Sequence, residues 1–303
     1  MERVTLPPSH APSRKPQEGA CDCHTHVFGS IADFPLIHPP HYPLPDADAA
    51  RHRQMLDQTG LTRAVLVQPA VYADDCSVII RAIEAAPTTL RGIGTAFAGA
   101  SETHLSQLKA AGIVGLRFVH LDLLGGATRF PGAAGFDDLF ALAPAMAAVG
   151  LHAQLWCDAS TFAEQRQALL GLGLPLVLEH MARFDTEAGT SGAAFQTVLA
   201  ALANGEIWVK LALCRASQQA PDYPDIRPFH DALIAANFRR LLWASDWPHV
   251  RMDDNRPDVG HLLDLFDDWT GEDAELAHTI LVDNPAALYG FDALPRQTQG
   301  FGQ

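Results

Sequence analysis

Lysine is scarce in this sequence. Of 21 basic residues only Lys15, Lys109 and Lys210 are lysines, and 35 acidic residues leave a formal charge of −14 over 303 residues. A chain this acidic offers no basic face to nucleic acid or an anionic membrane, so neither is expected as a partner. Long apolar runs are missing as well: no window approaches the ~18 apolar residues of a membrane-spanning helix. Residues 1–20 hold four prolines and no apolar stretch, so they do not read as a signal peptide. Residues 1–19 are expected to form an arm that covers a surface or stays mobile. The five cysteines (Cys21, Cys23, Cys76, Cys157, Cys214) are odd in number and scattered. That fits a reduced, cytoplasmic protein rather than a disulfide framework. No GxGxxG follows the first strand, and neither GxSxG nor HExxH occurs. These absences speak against a dinucleotide fold, a serine hydrolase and a helical zinc protease.

What is present is an alternation of strand and helix. Short, nearly continuous apolar runs rich in branched residues occupy 20–27, 64–68, 91–97, 113–119, 151–156, 175–179, 206–213 and 240–245. Runs of this kind mark strands covered on both faces, as parallel strands are. Helical spacing fills 49–59, 76–86, 102–111, 136–149, 161–170, 193–203, 228–236, 261–270, 273–281 and 285–289, with Gly60, Gly112, Gly150, Gly171 and Asn204-Gly205 just beyond their helices as stops. Eight such repeats over about 250 residues predict a (β/α)8 TIM barrel across 20–294, with a short tail over 295–303. The longer insertions, 30–49, 121–135 and 215–227, all follow the C-terminal end of a strand, where a barrel builds its active site.

The strand ends carry the chemistry. His24 and His26, two residues apart, project together from strand one. Strand six ends in Glu179-His180, and strand eight in Ser245-Asp246-Trp247-Pro248-His249. In a barrel these ends converge on one mouth, which makes His24, His26, His180 and Asp246 the candidate catalytic set. A carboxylate there can take a proton from water. Histidines can polarise a carbonyl and steady the oxyanion that forms.

Asp22-Cys23-His24-Thr25-His26, Glu179-His180-Met181, Ser245-Asp246-Trp247-Pro248-His249 and Asn284-Pro285-Ala286-Ala287-Leu288-Tyr289, in this order, resemble the amidohydrolase superfamily. The segment from Cys21 to Gly29 resembles more narrowly the branch of 2-pyrone-4,6-dicarboxylate lactonases and sugar lactonases. The resemblance implies hydrolysis of a small anionic lactone by water activated at Asp246. It also implies that Arg117 on strand four and Arg215 after strand seven grip substrate carboxylates, for which the arginine fork is suited. Tyr42, Gln68, Gln154 and His249 are further candidates for substrate contact; His249 can also pass protons or simply serve the turn after Pro248.

Many members of the superfamily hold metals with the strand-one histidines, a strand-four lysine, histidines on strands five and six, and the strand-eight aspartate. Here strand four has Arg117 and no lysine, and Gln154 stands where strand five would offer a ligand. A bridged two-metal site is therefore not expected. The lactonase branch works without a divalent metal, so no cofactor is expected. The alternative is one zinc on His24, His26, His180 and Asp246, in a zinc-dependent amidohydrolase or decarboxylase. A second alternative is a non-catalytic barrel that binds an acidic ligand. Two departures leave the lactone itself open: no second strand-four arginine has a clear match, and Ala70 replaces a serine hydroxyl. Oligomeric state is not legible.

Overall fold

The computed structural model describes residues 3–40, 42–123, 126–252 and 255–294; the expected tail lies outside them. Eight parallel strands run in chain order around a barrel: β1 (Cys21–Thr25), β2 (Arg63–Val67), β3 (Leu90–Gly94), β4 (Ile113–His120), β5 (His152–Cys157), β6 (Leu176–Leu178), β7 (Ile207–Leu211) and β8 (Leu241–Trp243). Every run that reads as a strand in the sequence is one, with its ends moved by up to three residues. The last strand returns to the first: Asp246 N donates to His24 O (3.0 Å) and His26 N to Trp247 O (2.8 Å). The Asp22 carboxylate strengthens this seam by accepting from Ser245 N (3.0 Å) and from the Ser245 hydroxyl.

The helices pack outside. They are α1 (Ala49–Thr59), α2 (Ser77–Ala85), α3 (Glu102–Ala110), α4 (Phe136–Val149), α5 (Ala159–Leu170), α6 (Ala193–Ala203), α7 (Leu213–Ala216), α8 (Arg227–Asn237), α9 (Val259–Trp269), α10 (Ala274–His278) and α11 (Asn284–Tyr289). Gly60 and Gly150 stop α1 and α4 at φ 77° and 72°, as left-handed caps do. Gly171 stays right-handed at φ −64°, and the reversal falls at Gly173, φ 69°. The expected 273–281 helix is instead α10 followed by a π turn over Thr279–Asp283 that runs into α11. Just past that turn, the Asn284 amide donates to Phe238 O and Leu241 O (2.8 and 2.7 Å), so α11 is tied to the start of β8.

One apolar layer fills the space between strands and helices. A second, inside the barrel, joins Cys21, Cys23, Val65, Val67, Ile93, Val177, Trp208 and Leu242 to Tyr289 and Phe291 of the C-terminal segment. All five cysteines are free and buried. Residues 3–19 lie against the barrel: Val4 bridges Pro45, and His10 N and Ser13 N donate to Asp258 and Asp264. Among the described residues no helix is long and apolar enough to cross a membrane.

Two local irregularities position the polar residues. In β1 three steps from Asp22 to Thr25 oppose two from Ala64 to Leu66, a bulge that lets Cys23 join the inner core while His24 also reaches the interior. After β6, His180, Met181, Ala182 and Arg183 all have positive φ, 42° to 60°, a left-handed turn costing about 1–2 kcal/mol per residue. Asp246 and His249 are left-handed as well, at φ 65° and 58°. Such strain persists only where the surroundings enforce it, and it gathers at functional sites.

Candidate active site

A cavity of about 180 Å3 opens at the C-terminal ends of the strands. Its polar wall is His26, Arg117, His180, Arg215 and Asp246; Phe28, Val71, Phe130 and Trp156 form the apolar side, and Tyr42 and Arg251 also line it. A more polar chamber of about 500 Å3 adjoins it and shares Trp156, His180, Arg215 and Arg251.

Asp246 sits at the centre of the polar wall, 2 % exposed. Its Oδ2 accepts from Arg215 Nε, and its Oδ1 lies 3.4 Å from His24 Nε2 and 3.6 Å from His26 Nε2. Burial alone would raise its pKa, but the Arg215 guanidinium outweighs burial and holds the carboxyl well below the usual carboxylate range. Glu179, fully buried, behaves alike: Arg117 and Lys210 overcome burial and keep it ionised. Arg117 donates to a single Glu179 oxygen through Nε (2.9 Å) and Nη2 (2.7 Å) and stacks 4.5 Å over Trp156. Burial pushes His180 and His249 down to about 3. Burial, then Lys210, pushes His24 well below its ordinary value. These imidazoles are therefore neutral at neutral pH.

Beneath the cavity a buried polar chain runs into the barrel. The Lys210 ammonium donates to Gln154 Oε1 (2.6 Å) and faces His24 Nδ1 (3.2 Å). Gln154 Nε2 in turn lies 3.2 Å from His152 Nε2 and 3.4 Å from the Tyr289 hydroxyl. Room for the His152 ring comes from Gly115, where a Cβ would fall 2.5 Å from it.

This arrangement can hold an anion on arginine, present a fixed carboxylate to water and offer imidazole donors to a carbonyl. Residues 21–291 match the amidohydrolase family profile. The chain belongs to the amidohydrolase family. Its relatives include lactone hydrolases. It is 32% identical over 306 residues to a 4-sulfomuconolactone hydrolase of Rhizobium radiobacter, covering 95% of this chain and 98% of that one. It is 31% identical over 288 residues to a 2-pyrone-4,6-dicarboxylate hydrolase of Comamonas testosteroni, covering 92% of each. A solved apo structure from Agrobacterium tumefaciens shares the fold, with TM-score 0.79 at 22% identity over 94% of this chain and all of that one.

Six of the residues singled out from the sequence of this amidohydrolase meet at the cavity: His26, Tyr42, Arg117, His180, Arg215 and Asp246. His24 lies directly behind them, touching Asp246 and His26. Three others do not line it. Gln68 donates to Ala73 O and Asp75 O and so braces the loop after β2. Gln154 belongs to the deeper polar chain. His249, 1 % exposed, pairs through Nε2 with Ser245 O (3.1 Å) inside its own turn. Both arginines are ion-paired to acids of the site itself. Glu179 and Trp156 were not singled out, although a buried charge closing the apolar run Leu176-Val177-Leu178 was a visible signal for Glu179. Lys210 points into the barrel, towards His24 and Gln154.

Donor atoms of His24, His180 and Asp246 lie within 4.8 Å of one another, a spacing that could surround one metal ion.

Proposed function

We propose that this amidohydrolase opens the ring of a small anionic lactone, with Asp246 taking the proton of the attacking water and without a resident metal. The observation that carries the reading is the position of Asp246: an ionised carboxylate at the wall of a cavity that also holds Arg117, Arg215 and His180. The relatives that act on sulfonated and dicarboxylated lactones support the same substrate class.

In this reading water attacks the lactone carbonyl carbon and its proton passes to Asp246 Oδ1. His180 donates to the developing oxyanion; its Nδ1 has no hydrogen-bond partner among the described residues. An oriented donor of this kind contributes about 3–4 kcal/mol. Collapse of the tetrahedral intermediate breaks the ring C–O bond, and the leaving alkoxide takes the proton back from Asp246. Arg117, through the edge not turned to Glu179, and Arg215 or Arg251 hold the acidic substituent. Phe28, Val71 and Phe130 face the ring.

The donor chemistry suits a metal poorly. A ligating histidine normally turns its other ring nitrogen to a carboxylate or carbonyl, whereas His24 Nδ1 lies closer to the Lys210 ammonium (3.2 Å) than to Glu179 (3.5 Å). The second oxygen of Asp246 is taken by Arg215. Lys210 and Arg117 also oppose positive charge at His24, and Arg117 and Arg215 oppose it at His180.

The test is an ultraviolet assay of carboxylated, sulfonated and neutral lactones on metal-depleted protein. Ring opening of the anionic lactones alone is expected. Activity that appears only when zinc is restored would instead establish the zinc-dependent alternative on His24, His26, His180 and Asp246, and binding without ring opening would establish an acidic-ligand barrel.

A further inference from the structure

The least expected neighbour of the candidate catalytic set is Lys210. It is fully buried on β7 among groups that are themselves buried. Nothing in the steps above uses it, yet its Nζ is 3.2 Å from His24 Nδ1.

Two contacts of the His24 ring bear on where its proton resides, one at each nitrogen. The first comes from below. A lysine ammonium has three donors and no acceptor. A 3.2 Å contact with Nδ1 is a hydrogen bond only if that nitrogen is bare. The Gln154 amide fixes the lysine, accepting from Nζ at 2.6 Å and directing its own NH2 to His152 Nε2; reversing the amide would set donor against donor. The second contact lies to the side. His26 Nδ1 is 2.7 Å from Val67 O and donates to it, which fixes the ring and turns its Nε2 towards His24. His24 Nε2 and His26 Nε2 face each other at 3.2 Å, and one of them must supply a proton.

We infer that Lys210 is a positioning residue: by donating to His24 Nδ1 it keeps the His24 proton on Nε2, aimed at His26 and Asp246. With Nδ1 bare, His24 serves the site as a donor and does not offer Nε2 as a lone-pair ligand. A competing acceptor stands beside the lysine, 3.9 Å from its Nζ. Glu179 Oε1 is 3.5 Å from His24 Nδ1 and has no hydrogen-bond partner among the described residues. Without Lys210 that carboxylate would draw a proton onto Nδ1. An imidazole held in the wrong tautomer loses orders of magnitude in rate elsewhere.

The experiment is nitrogen-15 NMR of the histidine rings, with His24 assigned through His24→Gln, joined to steady-state kinetics. In the unaltered protein His24 Nδ1 should show the shift of an unprotonated ring nitrogen. In Lys210→Met it should move to the protonated range, with kcat down at least about a hundredfold and KM changed less than about threefold. Lys210→Gln, which keeps a neutral N–H donor, should leave Nδ1 bare and recover most of kcat. The rate effect rests on the lactone-opening reading, whereas the NMR shift needs no substrate, so the two can fail separately. A protonated Nδ1 in the unaltered protein overturns the inference even if Lys210→Met does not fold. An Nδ1 that stays bare in Lys210→Met overturns it whatever the rate.

Discussion

Arg215 is held at both ends: its Nε donates to Asp246 Oδ2, and its Nη2 donates to Val250 O at 2.9 Å. One carboxylate oxygen is thereby fixed, and the other is left facing His24 and His26. The ion pair makes Asp246 a dependable anion, and it also weakens it as a base, because proton uptake must work against the arginine.

Replacing the carboxylate removes the base and keeps the shape. Asp246→Asn should lower kcat by at least about a hundredfold, within the range usual for general-base terms. Its far-ultraviolet circular dichroism should be unchanged, since the amide can still accept from Arg215. Wild-type kcat in this variant would exclude Asp246 as the proton acceptor.

The arginine sets the acid limit of activity. In Arg215→Met burial of Asp246 is no longer opposed by that charge, so its pKa rises. The base must be ionised, so the acid limb of kcat/KM should move to higher pH. A limb that stays in place would mean that another group controls it.

Arg117 has two attachments, and a double variant separates them. Arg117→Met should raise KM for anionic lactones more than it lowers kcat. It should also destabilise the fold, by up to about 3–5 kcal/mol, because buried Glu179 loses its hydrogen-bonded partner and keeps only Lys210 at 3.9 Å. Adding Glu179→Gln should restore much of the urea midpoint and leave KM high. If KM recovers along with stability, the arginine serves only the ion pair.

The barrel was legible because each parallel strand, covered on both faces, shows as an unbroken apolar run such as Val65-Leu66-Val67. The mouth was legible because His24, His26, His180 and Asp246 interrupt such runs at their C-terminal ends. What escaped was pairing across the barrel. Nothing local in Leu116-Arg117-Phe118 says that Arg117 meets Glu179, 62 residues later. Gln68, Gln154 and His249 occupy strand-end or turn positions like those of the cavity residues. Their side chains are drawn elsewhere by the Ala73 and Asp75 carbonyls, by Lys210, and by the Ser245 carbonyl. The left-handed turn from His180 to Arg183 contains no glycine and so gave no warning in the sequence.

Buried histidines should make the fold acid-sensitive well above the carboxylate range. Burial depresses His52, His152, His180 and His249 to about 3, against about 6.5 in an unfolded chain. Below pH 6.5 the unfolded chain therefore binds protons that the folded chain refuses. A depressed folded pKa contributes stability that is complete above 6.5 and is lost as pH falls towards 3. Asp22 works in the opposite sense: burial raises it to about 7, so its contribution is complete below about 4 and is lost as pH rises to 7. The four histidines outnumber it, and the urea midpoint should fall between pH 7.5 and pH 5. Asp22→Asn removes the opposing group and should steepen that fall, whereas His52→Gln should make it shallower. A midpoint that rises on acidification over this interval would show that the histidines are already protonated in the fold.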